Sequence, residues 1–347
     1  MIEVLSTDNI SPFGALRRCL LRHGCMSESI ELRRSANEGF ASIVRVVRPY
    51  VELTKPRLAT LLLIITLGTY HVAVHVRRAA SFGSADGLGF ATAGATGQVW
   101  IDFAILAVSV VLYASGMFAL NHYLERDIDG LMARTARRPL PSGRLNPDAA
   151  LLFGIGCSIL GTLALTLWVN TLAGVLAVLN LVIYLGIYTP LKRRTPVHTA
   201  LGAFAGAMPP LVGWTAATGE LSPEAWALAA IVFAWQFPHF YAVQLKNLKG
   251  YRNANVKVLP VTDEPGKRVR FEIIFWTVAT LGASLLPIAV GLTRMWYAVP
   301  AVVLWVLFAY RAFEVCRSYD VLHARKLLRS SVIYLPCLFV FIGLAIL

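Results

Sequence analysis

The chain has 347 residues, of which 57% are hydrophobic and only 15% are charged. Soluble domains carry roughly 45–50% apolar and about 25% charged residues, so a lone soluble domain, a disordered chain and a coiled coil are excluded. Apolar runs of about 17 to 25 residues, the length that crosses the hydrocarbon core of a bilayer, recur along most of the sequence. The composition therefore indicates a polytopic membrane protein.

The formal net charge is +13, from 32 Lys and Arg against 19 Asp and Glu. A basic balance of this size is typical of proteins that meet nucleic acid, anionic lipid or an anionic substrate. The charges follow the membrane topology described below, so we predict membrane lipid as a partner and no nucleic acid.

Nine apolar stretches without strand alternation predict membrane-spanning helices, because unpaired backbone groups are not tolerated in lipid. In chain order they lie near Leu58–Val74, Trp100–Leu120, Ala149–Val169, Leu172–Tyr188, Thr199–Ala216, Ala225–Val243, Ile273–Leu292, Met295–Tyr310 and Val332–Leu347. Within the fifth stretch, Pro209 and Pro210 predict a break or kink. The expected fold is an all-α bundle of nine transmembrane helices over residues 50–347, preceded by a poorly ordered basic extension over residues 1–49.

Basic residues are concentrated on one side of this predicted bundle. The N-terminal segment and the loops after the second, fourth, sixth and eighth spans hold 29 of the 32 Lys and Arg residues. Under the positive-inside rule, this asymmetry places the N-terminus and these loops in the cytoplasm. The N-terminal extension mixes Arg with acidic residues, unlike a transit peptide. We predict a multi-pass protein of the cell inner (plasma) membrane, with the mitochondrial inner membrane as the alternative.

An acidic cluster directly continues the second predicted helix. Asn121, Glu125 and Asp129 are four residues apart, so they project from one helix face. Mg²⁺ prefers oxygen ligands and is typically held by one or two carboxylates plus substrate phosphates. The cluster predicts a magnesium site at the membrane edge, and the alternative is a solvated helix end with Arg126 and Arg134 as partners.

Basic residues follow the acidic cluster, at Arg134, Arg137, Arg138 and Arg144, with Pro and Gly between them. Guanidinium groups bind phosphate through two parallel hydrogen bonds. The Pro and Gly residues favour a turn that returns these groups toward the acidic face. Together the two halves indicate a site for a metal and a diphosphate.

Asn121, Glu125 and Asp129 resemble the first motif of the UbiA-type intramembrane prenyltransferases. The longer run, which continues through Arg134, Thr135, Arg138–Pro141 and Gly143, resembles the branch that farnesylates protoheme IX. The likeness covers about Tyr50 to the C-terminus. The stretches that agree with this branch are Leu53–Arg57, Tyr188–Arg193, Gly202–Trp214, Trp235–Phe240 and Ser331–Leu335. The resemblance implies a nine-helix fold and Mg²⁺ as cofactor. It implies farnesyl diphosphate and heme b as the substrates and heme o as the product, which serves heme–copper oxidase biogenesis. It also implies a heme A synthase as a possible partner.

The resemblance assigns roles to individual residues. Asn121, Glu125 and Asp129 are expected to hold Mg²⁺, and together with Lys249 they form the expected catalytic set. His239, after a proline in the sixth apolar run, is expected to position the acceptor, because an imidazole can ligate heme iron. The other expected substrate contacts, mostly to diphosphate, are Lys55, Arg57, Arg138, Lys192, Arg193 and Tyr251.

Two positions depart from the family pattern. Glu125 stands where the family usually has Asp, which keeps the charge and lengthens the side chain. The second acidic motif, normally Lys-Asp-Tyr, reads Lys249-Gly250-Tyr251. Either one Mg²⁺ suffices, or Lys249 and neighbouring bases neutralise diphosphate, or activity is reduced. The alternative functions are therefore a UbiA-type prenyltransferase with another acceptor and a catalytically weakened heme-binding homologue.

Overall fold

A computed structural model describes residues 43–82 and 93–346 of the chain. In this part of the chain the structure is helical, with one isolated bridge between Thr293 and Ile346. The chain divides into two units, Met1–Val51 and Glu52–Leu347. In the first unit, the described residues 43–51 are helical, and most of the predicted N-terminal extension lies outside the described residues.

The second unit is a bundle of helices that we number in chain order. The longer helices are α1 (Pro56–Phe82), α2 (Ala93–Gly130), α3 (Pro147–Ala164), α4 (Thr171–Leu181), α7 (Pro223–Lys246), α10 (Lys267–Ala289), α11 (Ala298–Ser318) and α12 (Val321–Leu344). The shorter ones are α5 (His198–Gly206), α6 (Met208–Thr218), α8 (Leu248–Asn253) and α9 (Leu259–Thr262). Helix α3 continues as a π-helical segment, Leu165–Val169, and a 3₁₀ turn, Met295–Tyr297, precedes α11. Helix α4 continues through a π-helical segment, Val182–Tyr188, and one further turn, Thr189–Leu191.

Eight helices of the described chain are long and apolar enough to cross a membrane. The helical fold is confirmed, but the count of nine is not. The fifth predicted span consists of α5 and α6, which are separated at Ala207, immediately before Met208 and the proline pair. The break has the predicted physical cause, because Pro209 and Pro210 cannot donate backbone hydrogen bonds to a preceding turn.

Small residues bring neighbouring helices close together. A Cβ on Gly116 of α2 would lie 2.3 Å from the Ser158 backbone nitrogen of α3, and one on Gly161 would lie 2.2 Å from the Tyr113 nitrogen. These distances are below van der Waals contact, so the helices approach at glycine as membrane helices commonly do. These contacts between α2 and α3 help to position the C-terminal part of α2, which carries the acidic cluster.

Several helix ends meet at one end of the bundle, which we call the site end. They are the start of α1, the end of α2, Lys192 after the turn Thr189–Leu191, the end of α7 and the turn between α11 and α12. Contacts among their side chains, described next, define this end.

Candidate active site at one end of the helix bundle

Asn121, Glu125 and Asp129 lie on the last turns of α2, within one continuous helix that ends at Gly130. Their exposed fractions are 0%, 7% and 1%. Two carboxylates buried side by side repel each other and require nearby positive charge. The predicted ligand set is thus gathered on one buried face.

Each member of this set has a basic partner from another segment. Lys55 Nζ donates to Asn121 Oδ1 at 2.6 Å. Arg138 Nη1 donates to Asp129 Oδ2 at 2.5 Å, and Lys192 Nζ forms an ion pair with Glu125 Oε1. Three cations, two carboxylates and the Asn121 amide therefore form one cluster, which we call the ion-pair cluster.

Lys55 enters the ion-pair cluster from a strained backbone. Its φ is +47°, in the left-handed region, and it directly precedes Pro56 at the start of α1. A non-glycine residue in this region costs of order 1–3 kcal/mol and persists where the surrounding structure fixes it. The Lys55 ammonium lies 5.2 Å from the centre of the Phe118 ring, and its carbonyl accepts from the Leu58 and Ala59 amides.

Lys192 is placed by the altered end of α4. The π-helical segment Val182–Tyr188 precedes it, and the Lys192 ammonium lies 4.5 Å from the centre of the Tyr188 ring. Such segments inside helices are frequent at functional sites, because the extra residue turns the following side chains. Thr189 holds the same region to α2, since it accepts from Asn121 Nδ2 at 3.2 Å.

The turn after α2 returns Arg138 to the acidic face, as the sequence predicts. Thr135 Oγ1 donates to the Asp129 carbonyl at 2.8 Å, and the Arg138 amide donates to the Thr135 carbonyl at 2.9 Å. These local bonds fix the turn that brings the guanidinium beside the Asp129 carboxylate.

The cluster lines a cavity of about 240 Å³, which we call the first cavity. Its charged lining residues are Lys55, Glu125, Asp129, Arg134, Arg138 and Lys192. Its aromatic and polar lining residues include Tyr184, Tyr188, His198, Thr199, Phe240, Gln244 and Tyr251. A polar, mainly cationic chamber thus borders apolar and aromatic walls.

Two lysines outside the membrane-spanning segments have shifted pKa values. Burial lowers the pKa of Lys55 to about 7, with the Arg138 and Lys192 charges acting in the same direction and the Glu125 charge opposing them. Burial also acts to lower the pKa of Lys192, but the Glu125 carboxylate outweighs it and holds that pKa well above its usual value. Lys192 is therefore a permanent cation, whereas Lys55 titrates near neutral pH.

The side-chain oxygens of the ion-pair cluster are of the chemical type that binds magnesium. Two carboxylates and one amide oxygen share a face, and hard oxygens are the ligands that Mg²⁺ takes. Among residues 43–82 and 93–346, no group of three or more His, Cys, Asp and Glu side chains is placed to hold a metal. An ion held by this set would need further oxygens from water or a phosphate-bearing ligand.

A second cavity of about 630 Å³ lies beside the first at the site end. Met132 and Arg134 line both cavities. The charged residues lining the second are Arg134, Lys246, Lys249 and Asp320. Gly250 also lines it, and a Cβ there would meet only Met132 Cγ, at 3.9 Å. The position has room for the aspartate that the family pattern predicts.

The other predicted site residues lie in different places. Tyr251 lines the first cavity, whereas Lys249 is exposed and lines the second. Arg57 and Arg193 are exposed and are not among the residues lining either cavity. His239 is not among them either; its Nδ1 lies 2.8 Å from Ser331 Oγ.

Sequence reasoning missed the aromatic wall beside Lys192. Tyr184 and Tyr188 stack with ring centres 5.2 Å apart, and both line the first cavity. The spacing offered a signal, because Tyr184, Tyr188 and Lys192 repeat every four residues, as the acidic cluster does. Thr189 carried no such signal, since its bond joins residues 68 positions apart.

A family model supports the class that this fold and site define. Residues 87–339 match the UbiA prenyltransferase family, and the chain belongs to that family. Among solved structures, a digeranylgeranylglyceryl phosphate synthase aligns with a TM-score of 0.67 at 18% identity, over 86% of this chain and 98% of the other. A UbiA homolog from Archaeoglobus fulgidus, bound to GPP and Mg²⁺, aligns with a TM-score of 0.56 at 15% identity, over 85% and 99%. At these identities the alignments show the fold.

Curated relatives are more similar in sequence. The protoheme IX farnesyltransferase of Solibacter usitatus is 39% identical over 296 residues, which cover 84% of this chain and 97% of the relative. The enzyme of the same name from Legionella pneumophila (strain Paris) is 36% identical over 300 residues, covering 85% and 94%. The likeness to these two relatives thus extends over nearly their whole length.

Proposed function

We propose that this chain transfers the farnesyl group of farnesyl diphosphate to a vinyl group of protoheme IX (heme b), giving heme o and diphosphate. The ion-pair cluster carries this proposal, because the charge that develops on a leaving diphosphate must be stabilised by fixed cationic groups. Relatives named protoheme IX farnesyltransferase, at 34–39% identity, support the choice of donor and acceptor. The product serves heme–copper oxidase biogenesis.

Asn121, Glu125 and Asp129 are the residues that would hold Mg²⁺, together with diphosphate oxygens and water. When bound, the ion would act as a Lewis acid that neutralises charge on the leaving group. The oxygen donors of this face support the assignment, as does the fold likeness to a homolog solved with GPP and Mg²⁺. The change from Asp to Glu at residue 125 keeps the charge of the set.

Lys55, Arg138 and Lys192 bind the diphosphate. In the structure each holds a side chain of α2, and the incoming anion shares or replaces these partners. Arg57 and Arg193 are exposed and lie close in sequence to Lys55 and Lys192. Their positive charges attract the anion toward the site. Lys249 adds positive charge from the second cavity, beside Gly250, and Tyr251 bounds the first cavity.

The reaction breaks the bond between C1 of the farnesyl chain and the diphosphate oxygen, and the bonding electrons leave with diphosphate. The π electrons of the heme vinyl group then form a bond to the allylic C1. The resulting carbocation takes the oxygen of a water molecule, which loses a proton. Farnesyl diphosphate, heme b and water thus give heme o, diphosphate and one proton.

His239 positions the acceptor. Ser331 Oγ donates to the Leu328 carbonyl at 2.8 Å, which uses its one hydrogen. His239 Nδ1 therefore donates to Ser331 Oγ, and the lone pair of the neutral ring lies on Nε2. The Trp235 ring stacks on the imidazole with centres 4.9 Å apart. A neutral, oriented imidazole of this kind suits a contact to heme iron.

The charge distribution supports the proposed placement in the cell. The site end faces the cytoplasm, and the protein crosses the cell inner membrane with a cytoplasmic N-terminus. A heme A synthase is the partner that would accept the product.

Heme o formation tests the function directly. Purified membranes carrying the chain receive heme b, farnesyl diphosphate and Mg²⁺, and mass spectrometry follows heme o. Its formation supports the proposal. Prenylation of another acceptor without heme o would favour a prenyltransferase of different specificity, and heme binding without any prenylated product would favour the weakened homologue.

A further inference from the structure

A groove of about 460 Å³ runs between α11 and α12 and shares no lining residue with either cavity of the site end. Both helices contribute to it. The residues that line it are Leu304, Leu307, Tyr310, Arg311, Lys326, Arg329, Ser330, Ile333 and Tyr334. The set contains three cations and no acidic residue. The proposed reaction uses none of these side chains.

Charge is concentrated at one end of this groove. Lys326 and Arg329 are three residues apart on α12, so they lie on one face, and Arg311 faces them from α11. Arg311 Nη1 donates to Glu314 Oε2 at 2.6 Å, which neutralises one cation. Two positive charges therefore remain at the mouth of the groove, where Ser330 adds a hydroxyl.

The groove becomes apolar with depth on both helices. On α11, Leu307 and Leu304 lie about one and two turns farther from the helix end than Arg311. On α12, Ile333 lies about one turn beyond Arg329. Because the two helices run in opposite directions, the cations share the level near the site end and the apolar residues share the level toward the middle of the bundle.

We propose that this groove binds an anionic phospholipid from the leaflet at the site end. A phosphodiester would lie between Lys326 and Arg329, and one acyl chain would run over Leu307 toward Leu304. Guanidinium and ammonium groups bind phosphate through charge-assisted hydrogen bonds, and basic pockets between membrane helices recognise anionic head groups. Cations at one end of the groove, followed by apolar side chains along both helices, distinguish this site from a helix end that is only basic.

Arg317 and Arg325 provide a matched comparison. They belong to the same two helices and are exposed, but they do not line the groove. The double variant Lys326→Gln/Arg329→Gln and the control Arg317→Gln/Arg325→Gln remove the same formal charge from the same region. The purified full-length chain in detergent is titrated with phosphatidylglycerol, with phosphatidylcholine of identical chains, and with inorganic phosphate, and native mass spectrometry counts bound lipid.

We expect the unmodified chain to retain phosphatidylglycerol in preference to phosphatidylcholine. The groove variant should bind phosphatidylglycerol roughly 30-fold more weakly, at about 1 kcal/mol for each cation, and the control should bind as the unmodified chain does. Equal losses in both variants would reduce the effect to net charge and overturn the proposal. Displacement of the lipid by an equal concentration of inorganic phosphate would also overturn it, because the acyl chain would then contribute nothing.

A second measurement does not depend on how the variants fold. Phosphatidylglycerol with a photoreactive acyl chain is added to the unmodified chain, and the labelled peptides are identified after digestion. Labelling of the α11 segment containing Leu304 and Leu307 and of the α12 segment containing Ile333 is expected. Labelling elsewhere at equal or greater yield, without these segments, would contradict the assignment.

Discussion

The two cavities at the site end share a wall but differ in charge. The first contains two buried carboxylates, Glu125 and Asp129, each paired with a cation. The second is larger and cationic, and its one lining carboxylate, Asp320, caps α12 by accepting from the His323 amide at 2.8 Å. In the family pattern, acidic residues occur both in the first motif, here at residues 121–129, and in the second motif, here at residues 249–251. Among the residues that line these two cavities, the oxygen ligands proposed for a metal lie on α2.

This difference separates two tasks that the family pattern combines. In the proposed function the first cavity holds a metal and the diphosphate, whereas the second offers Arg134, Lys246 and Lys249 to an anion without a competing carboxylate at residue 250. Loss of that acid removes like-charge repulsion from a bound anion and also removes a metal ligand. The predictions below test whether the first cavity is sufficient for the reaction.

Removal of divalent metal should have the largest effect. Chelation of Mg²⁺ with EDTA is expected to lower the rate of heme o formation by at least about 10³-fold, because the ion supplies several kcal/mol of charge stabilisation. Mass spectrometry of the product measures the rate, and added Mg²⁺ should restore it. Full activity after chelation would mean that the lysines and arginines alone neutralise the diphosphate.

Asp129→Ala should have the next largest effect, with a loss of about 10² to 10³ in the rate, the size expected for removing one group that stabilises developing charge. The matched control is Asp127→Ala on the same helix. The Asp127 side chain is 80% exposed, and its nearest cation, Arg126, lies 4.0 Å away. We expect the control to remain active, since solvent screens this pair. Equal losses in both variants would contradict the assignment of the buried face.

Lys192→Gln should distinguish the two cavities by their cations. It removes the partner of Glu125 and a permanent charge from the first cavity, so we expect a loss of about 10²-fold in kcat/KM for farnesyl diphosphate. Lys249→Gln removes an exposed charge from the second cavity and should cost about tenfold or less. Steady-state kinetics at fixed heme b measures both. A larger loss for Lys249→Gln would place the diphosphate in the second cavity.

Hydropathy and helical spacing predicted much of this molecule. The helical bundle, the break before the proline pair and the shared face of Asn121, Glu125 and Asp129 follow from local rules. Their cation partners do not, because Lys55 and Lys192 lie 66 and 67 residues away from the side chains that they contact. Sequence analysis placed Lys249 and Tyr251 in one motif, yet the two residues line different cavities. They are two positions apart on α8, so their side chains point to different sides of that helix.

The pH dependence should report Lys55. Its pKa of about 7 means that the ammonium loses its proton as the pH rises through neutrality, so attraction for the diphosphate weakens. We expect kcat/KM for farnesyl diphosphate to fall up to about tenfold between pH 6.5 and 8.5, since this parameter reports groups of the free enzyme. Lys55→Arg keeps its charge throughout this range and should flatten the profile. An unchanged profile in this variant would assign the titration to another group.

Gly250→Asp should have the smallest effect and addresses the difference between the cavities most directly. The side chain fits, because a Cβ at this position would meet only Met132 Cγ, at 3.9 Å. A carboxylate here adds an oxygen ligand at the edge of the second cavity, so the Mg²⁺ concentration for half-maximal activity should fall a few-fold. A magnesium titration of the initial rate measures it.

Gly250→Asn is the control for this last change, because it matches the size of aspartate without its charge. The two variants should diverge only if residue 250 lies within reach of the bound metal and diphosphate. If both leave the magnesium dependence unchanged, the second cavity takes no part in metal binding, and the oxygen donors of α2 are the whole protein contribution. If aspartate instead weakens activity by repelling an anion, the cations Lys246 and Lys249 serve that anion and the glycine is required for it.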